Sequence, residues 1–352
     1  MSKELRRKLI YSMIFALILY IVMALWSDWQ DLTAAVAEFP WQLMPIIIAL
    51  TLVSYTGRLL RWYWYLQVID ANISFKDSAK IFGIGMMMVM TPGKAGEFLK
   101  SYMVKNVSGT PMSRTAPIIL AERILDAMAM IILAAVGLFA FPSTSARMVG
   151  VIVFSVFATF IIVIQIRPLA LWGLSIAERM PIVNRFAEQL YVLYESSYII
   201  FRPRNITISI LVGLFCWGAV GVAYYVALTG FGIEQSWQSL AIAVFIFNIS
   251  TVIGALIALP GGLGGVEGSM IAWSVRLFGL PTATATAAAL LTRFSTLWMG
   301  VAIGIVSFML WPELLAGSED ARRELDADEA DALEAEGFDV EGFDVESSEP
   351  VA

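Results

Sequence analysis

The sequence predicts an all-α polytopic membrane protein: about six spanning helices plus two re-entrant helical hairpins, arranged as an inverted repeat. Three observations predict it. First, 59% of the 352 residues are hydrophobic and mean hydropathy is +0.77, which excludes an ordinary soluble protein. Second, the apolar residues come in long runs. About 20 residues of helix cross a hydrocarbon core of about 30 Å. Third, two Gly/Pro breaks interrupt apolar sequence and each ends in a glutamate: Pro92-Gly93-Lys94-Ala95-Gly96-Glu97 and Pro260-Gly261-Gly262-Leu263-Gly264-Gly265-Val266-Glu267. Helix-breaking backbone at membrane depth is tolerated only where protein or a water-filled cavity satisfies its polar groups. Loops at the membrane surface are the other reading of such breaks.

The elements follow in order. Ser2 to Lys8 holds four basic residues, and Leu9 to Trp26 is an 18-residue apolar run. The run is too long for the apolar region of a signal peptide, and the cleavage-like Ala35-Val36-Ala37 lies well beyond its end. A spanning helix with a cytoplasmic N-terminus is expected. Leu43 to Leu66 is the second span. Arg58 and Arg61 sit in its last two turns amid Trp62, Tyr63, Trp64 and Tyr65, which reads as an interfacial belt with arginines anchored at headgroups. Ile81 to Met90 is too short to cross. With the Pro-Gly break and Phe98 to Val104 after it, it reads as a hairpin that returns to its starting side. Thr115 to Phe141 is a full span carrying Glu122, Arg123 and Asp126. Glu122 and Asp126 are four apart and share a helix face.

Met148 to Ile166 is expected to cross back. Leu169 to Asn205 reads as a basic cytoplasmic connector with apolar positions every three or four residues, lying on the membrane surface. Ile206 to Thr229 crosses outward and Leu240 to Leu259 enters. The second break follows, Ser269 to Phe278 returns, and Thr284 to Leu310 is the last span. Leu240 to Leu259 has enough residues to cross fully; the re-entrant reading there rests on its match to the first break. The body is thus residues 1–312 and the tail 313–352.

The match is an internal register. Glu97 precedes Arg123 by 26 residues, and Glu267 precedes Arg293 by 26. The same offset of 170 carries Phe141-Pro142 onto Trp311-Pro312. Phe75 and Trp237 correspond only if the second copy has an insertion. Internal duplication is the reading, with chance as its rival.

Charge orients the chain. Net charge is −6, but residues from Gly317 onward hold 14 Asp+Glu and 2 Arg. The tail therefore carries −12 and the rest +6. Re-entrant hairpins put Lys100, Lys105, Arg114 and the Arg167–Arg204 cluster in the cytoplasm, as the positive-inside rule asks. Both termini are then cytoplasmic, and the two copies enter from opposite faces, a transporter arrangement with its site at midplane. The acidic tail is expected to be disordered.

The chemistry follows from what is present. With no His and one Cys, Cys216, neither an internal disulfide nor a His/Cys metal site is available, and His-based nucleophile arrangements are excluded. No cofactor and no nucleic acid is called for. Cys216 reads as a small core residue. A helix starting after each break points a partial positive charge inward, which favours an anion. Lys94, Arg123 and Arg293 add cations. Glu97 and Glu267 either serve the substrate, or complement helix N-termini and pair with arginines. Pro92, Gly93, Gly96, Glu122, Asp126, Pro260, Gly261, Gly262, Gly264 and Gly265 are the supporting residues.

Pro-Gly-Lys-Ala-Gly-Glu at 92–97, Glu-Arg-Ile-Leu-Asp at 122–126 and Pro-Gly-Gly-Leu-Gly-Gly-Val-Glu at 260–267 resemble the signatures of the flippase-like membrane domain of lysyl-phosphatidylglycerol synthases. The resemblance spans about residues 5–312. The family commonly has Arg where Lys94 stands, which keeps the charge but not the bidentate fork. The soluble aminoacyl-transferase domain is absent, so lysyl-lipid synthesis is not implied. Movement of a lipid headgroup between leaflets is. The expected substrate is a phospholipid or polyprenyl-phosphate-linked lipid at the cytoplasmic membrane. An intramembrane transferase on polyprenyl phosphate and a non-transporting partner subunit are the rival readings.

Overall fold

The structure, a computed structural model, describes residues 29–91, 96–139, 148, 150–152, 155–156, 159, 199–257 and 259–315. The first expected span, most of the Met148–Ile166 crossing, the connector up to residue 198 and the tail from residue 316 lie outside the described residues. So do Pro92, Gly93 and Lys94.

Among the described residues every regular element is helical. They are α1 (Trp29–Glu38), α2 (Met44–Val68), α3 (Phe75–Met87), α4 (Leu99–Ser108), α5 (Met112–Leu138), α6 (Pro203–Gly230), α7 (Trp237–Ile257), α8 (Gly265–Phe278), α9 (Thr282–Arg293) and α10 (Met299–Leu310). Short 3₁₀ turns at Met88–Met90 and Pro260–Gly262 mark the two breaks, and a π-helical segment, Phe294–Trp298, joins α9 to α10. Four stretches are long and apolar enough to cross a membrane: Trp41–Val68, Pro203–Gly230, Trp237–Ile257 and Thr282–Leu310. α5, with 27 residues, is about 40 Å long at 1.5 Å per residue, but it carries charges in its first half.

The two broken segments begin alike. Ser74 caps α3, its hydroxyl accepting from the Asp77 N–H, and the Ser236 hydroxyl accepts from the Ser239 N–H ahead of α7. Such a cap satisfies a backbone donor that the first helical turn leaves open. They differ in length. α3 has 13 residues and α7 has 21, about 20 Å against about 32 Å. The eight-residue difference equals the insertion that a duplication would need to bring Phe75 and Trp237 into correspondence. α7 is long enough to cross, whereas α3 is not.

After the breaks the halves run in step. Gly109 and Gly279 end α4 and α8 in the left-handed region, at φ 70° and 67°, where glycine is favoured. Pro111 and Pro281 then precede α5 and α9. Each pair lies 170 residues apart, which extends the register beyond the breaks.

Packing is reciprocal. α3 lies against α10, and α7 lies against α5. Small residues permit both contacts. A side chain at Gly83 would meet Ser307, one at Gly304 would meet the Met87 backbone, and one at Gly137 would meet Phe245. Lipid tails are as apolar as leucine, so close van der Waals approach drives helix association in a membrane.

Two cores result. Trp62, Tyr65, Ile81, Ile84, Met103 and Ile118 fill one, and Tyr224, Phe245, Ile246, Met270 and Ala288 fill the other. Between them the 3₁₀ turns Met88–Met90 and Pro260–Gly262 touch, packed with Met90, Leu263, Leu297 and Val301. Leu315 is buried in the first core, so packing continues three residues past the expected body boundary. Cys216 is a buried core residue, as expected.

The reading of Trp62, Tyr65 and Arg61 as an interfacial belt is corrected. All three are buried, Arg61 at 2% exposure. Positions 58, 61, 62 and 65 share one side of α2, and that side faces inward. Helical spacing next to a run of aromatics does not distinguish a membrane interface from a polar-cored bundle.

Candidate functional site

The site forms where α2, α4, α5 and the second break converge. Both glutamate–arginine pairs of the 26-residue spacing meet. Arg123 Nη2 lies 3.4 Å from Glu97 Oε2, and Arg293 Nε lies 2.6 Å from Glu267 Oε1.

The first pair belongs to a network. Arg61 Nη2 donates to Asp126 Oδ1 at 2.7 Å, and Arg61 Nε lies 3.8 Å from Glu122 Oε1. Lys100 Nζ donates to Glu122 at 3.3 Å, lies 3.9 Å from Glu97, and sits 4.3 Å from the Trp62 ring centre. Arg123 also approaches Asp126, at 3.8 Å. Among the described residues three cations thus face three carboxylates, and each carboxylate has at least two cations within 4 Å. Buried charges persist only when paired in this way. The Arg61, Glu122 and Asp126 cluster needs room, and Gly213 provides it. A side chain there would approach Ala129, Arg61 and Asp126.

The second pair is compact. Glu267 is fully buried. It accepts from Arg293 through one oxygen and from the Gly264 N–H through the other, at 2.7 Å. Arg293 Nη2 also donates to the Gly261 carbonyl at 2.6 Å. Glu267 therefore satisfies a free N–H at the start of α8 and fastens the break to α9. Gly261, Gly262 and Gly264 have φ of 62°, 68° and 79°, so backbone conformation accounts for these three glycines. Gly96 has another reason. Its N–H donates to Thr91 Oγ1 at 2.8 Å, and a side chain there would strike Thr91.

Two adjoining cavities, of about 80 and about 310 Å³, share the walls Tyr55, Arg58, Val89, Arg123, Thr296 and Leu297. Glu97, Lys100 and Glu122 line the smaller; Asp126, Trp217, Gly261 and Arg293 line the larger. Tyr55 donates to the Thr296 carbonyl in the π segment at 2.8 Å. Short π segments inside helices are frequent at functional sites.

Arg58 was missed by sequence reasoning. It lines both cavities, with its guanidinium 5.4 Å from the Trp217 ring centre. Among the described residues it has no carboxylate within ion-pair distance. Lys100 was treated only as a loop charge, although it lies one turn after Glu97. The spacing Tyr55, Arg58, Arg61 along one face of α2 was the available signal. Pro260 and Gly265 flank the second break as expected. Among the described residues no cluster of acidic or Cys side chains is arranged for a metal ion.

Fold and site together define a polytopic helical membrane protein whose bundle encloses an ion-paired polar cavity. The chain belongs to the family described as Lysylphosphatidylglycerol synthase TM region, which it matches over residues 13–304. It is similar to two proteins of Methanothermobacter thermautotrophicus, each described as a UPF0104 membrane protein. One is 25% identical over 319 residues, covering 85% of this chain and 92% of the relative. The other is 25% identical over 275 residues, covering 70% and 79%.

Proposed function

We propose that the protein moves a lipid with an anionic phosphate headgroup across the cytoplasmic membrane. The observation that carries this reading is the lining of one intramembrane cavity by Arg58, Arg123 and Arg293, with Arg58 unmatched by a described carboxylate. Intramembrane charges cost several kcal/mol or more and mark substrate paths. Arginine forks suit phosphate oxygens. Glu97 and Glu267 hold Arg123 and Arg293 in place, and Lys94 supplies further positive charge. Family membership supports a lipid-related role.

The same reading takes the chain as an inverted repeat, with the first break in a re-entrant hairpin. The shared register, the paired caps, the touching breaks and the reciprocal packing support it. The loop after α4 and both termini are cytoplasmic.

Two experiments test this. In vesicles carrying labelled phosphatidylglycerol or polyprenyl phosphate, the parent protein moves headgroups and Arg58→Gln loses at least tenfold in rate, with unchanged melting temperature. Movement at the parent rate by a folded Arg58→Gln protein rejects the reading. For topology, Val107→Cys in a Cys216→Ala background resists an impermeant thiol reagent in intact cells and reacts after lysis. Ready labelling of intact cells places that loop outside.

A further inference from the structure

A third cavity lies beside the polar pair, between α2, α3 and α10. Its volume is about 560 Å³, and its walls are mostly apolar. Tyr55, Phe82 and Met86 line both this groove and the smaller polar cavity. They form a shared partition between a charged chamber and a hydrocarbon-like channel. Leu52 and Phe75, also on the groove, are exposed on the outer surface of the bundle, so the groove opens sideways. At one end stand Lys76 and Lys80, with Lys80 5.8 Å from the Trp311 ring centre.

We infer that this groove holds the hydrocarbon tail of the lipid whose phosphate rests on Arg58. The inference rests on the phosphate-lipid reading above. The physical argument is continuity. A lipid phosphate cannot enter the charged chamber unless its tail stays in an apolar environment. This groove shares the walls Tyr55, Phe82 and Met86 with the smaller charged cavity. The width that admits a chain comes from residues without bulk. Ala79, Gly83 and Thr56 form part of its wall, and Gly83 also permits the close approach of α3 to α10. Lys76 and Lys80 suit a headgroup passing the membrane surface on its way in.

The test uses the full chain in phosphatidylcholine vesicles with hexadecyl phosphate bearing a photoreactive diazirine in its tail. Hexadecanol carrying the same group is the uncharged control. Adducts of the phosphate probe are expected on α2, α3 and α10 at least fivefold above the alcohol. Thr56→Trp and Ala79→Trp, which fill the groove, abolish that excess while inorganic phosphate affinity stays within twofold. Arg58→Gln lowers both phosphate affinity and the excess. Equal labelling by the two probes, labelling indifferent to both Trp variants, or a cysteine cross-link from position 56 to residues 9–26 showing the groove filled by the chain itself overturns the groove assignment. Unchanged phosphate affinity in Arg58→Gln overturns the underlying phosphate site instead.

Discussion

The two halves solve one problem in different ways. Each must hold a glutamate and an arginine inside a membrane. The second half does it with a fully buried Glu267, bonded to Arg293 and to a backbone N–H. The first half does it with a shared network, in which Glu97 and Arg123 are separated by 3.4 Å and both have further partners of opposite charge. Arg123 keeps 24% of its side chain exposed, against 8% for Arg293. A pair bonded to the backbone fixes the break. A network with spare reach can exchange partners when an anion arrives. On the proposed function, the second half has a mainly architectural duty and the first half, with Arg58, the responsive one.

The largest effect separates the halves directly. Glu267→Gln removes the carboxylate charge bonded to buried Arg293 and is expected to cost about 3–5 kcal/mol. Glu97→Gln leaves Arg123 with Asp126 and Lys100 with Glu122, and is expected to cost about 1 kcal/mol, the scale of one rearranged hydrogen bond. Thermal unfolding in detergent measures both. Equal losses would show that the two pairs do the same work. Glu97→Gln should nevertheless slow lipid movement in vesicles more than its stability loss explains.

A smaller effect isolates the backbone of the second break. Gly261→Ala forces an alanine to φ near 62° and crowds Met90 and Leu297. The left-handed conformation alone costs about 1–2 kcal/mol, so a melting temperature lowered by a few degrees is expected, with phosphate binding retained. An unchanged melting temperature would mean that the break tolerates another conformation, and the architectural duty of this half would be in doubt.

The smallest effect sharpens the boundary of the comparison. Truncation after Gly317 removes the −12 tail but keeps Leu315, which packs in the core. Melting temperature and lipid binding are expected to match the full chain. A truncation that also removes Leu314 and Leu315 should be less stable, because it opens a cavity in the first core.

Composition and spacing determined the membrane class, the helical fold, the two breaks, and the equal separation of Glu97 from Arg123 and of Glu267 from Arg293, with pairing to arginines as one of the open readings. These are legible in sequence because hydrocarbon thickness fixes helix length and because a repeated separation reports a repeated local structure. Tertiary structure alone decided the partners that come from far along the chain. Arg61 meets Glu122 and Asp126 from another helix, and Arg58 reaches the same cavity as Arg293. A one-dimensional pattern gives which side of a helix a residue lies on, but not what that side faces. An arginine near aromatics reads alike at a headgroup and in a polar core. The role of Gly96 was equally hidden, since its close approach to Thr91 depends on how the first break folds back. The extra length of α7, eight residues more than α3, became visible only with the positions of the capping serines, Ser74 and Ser236.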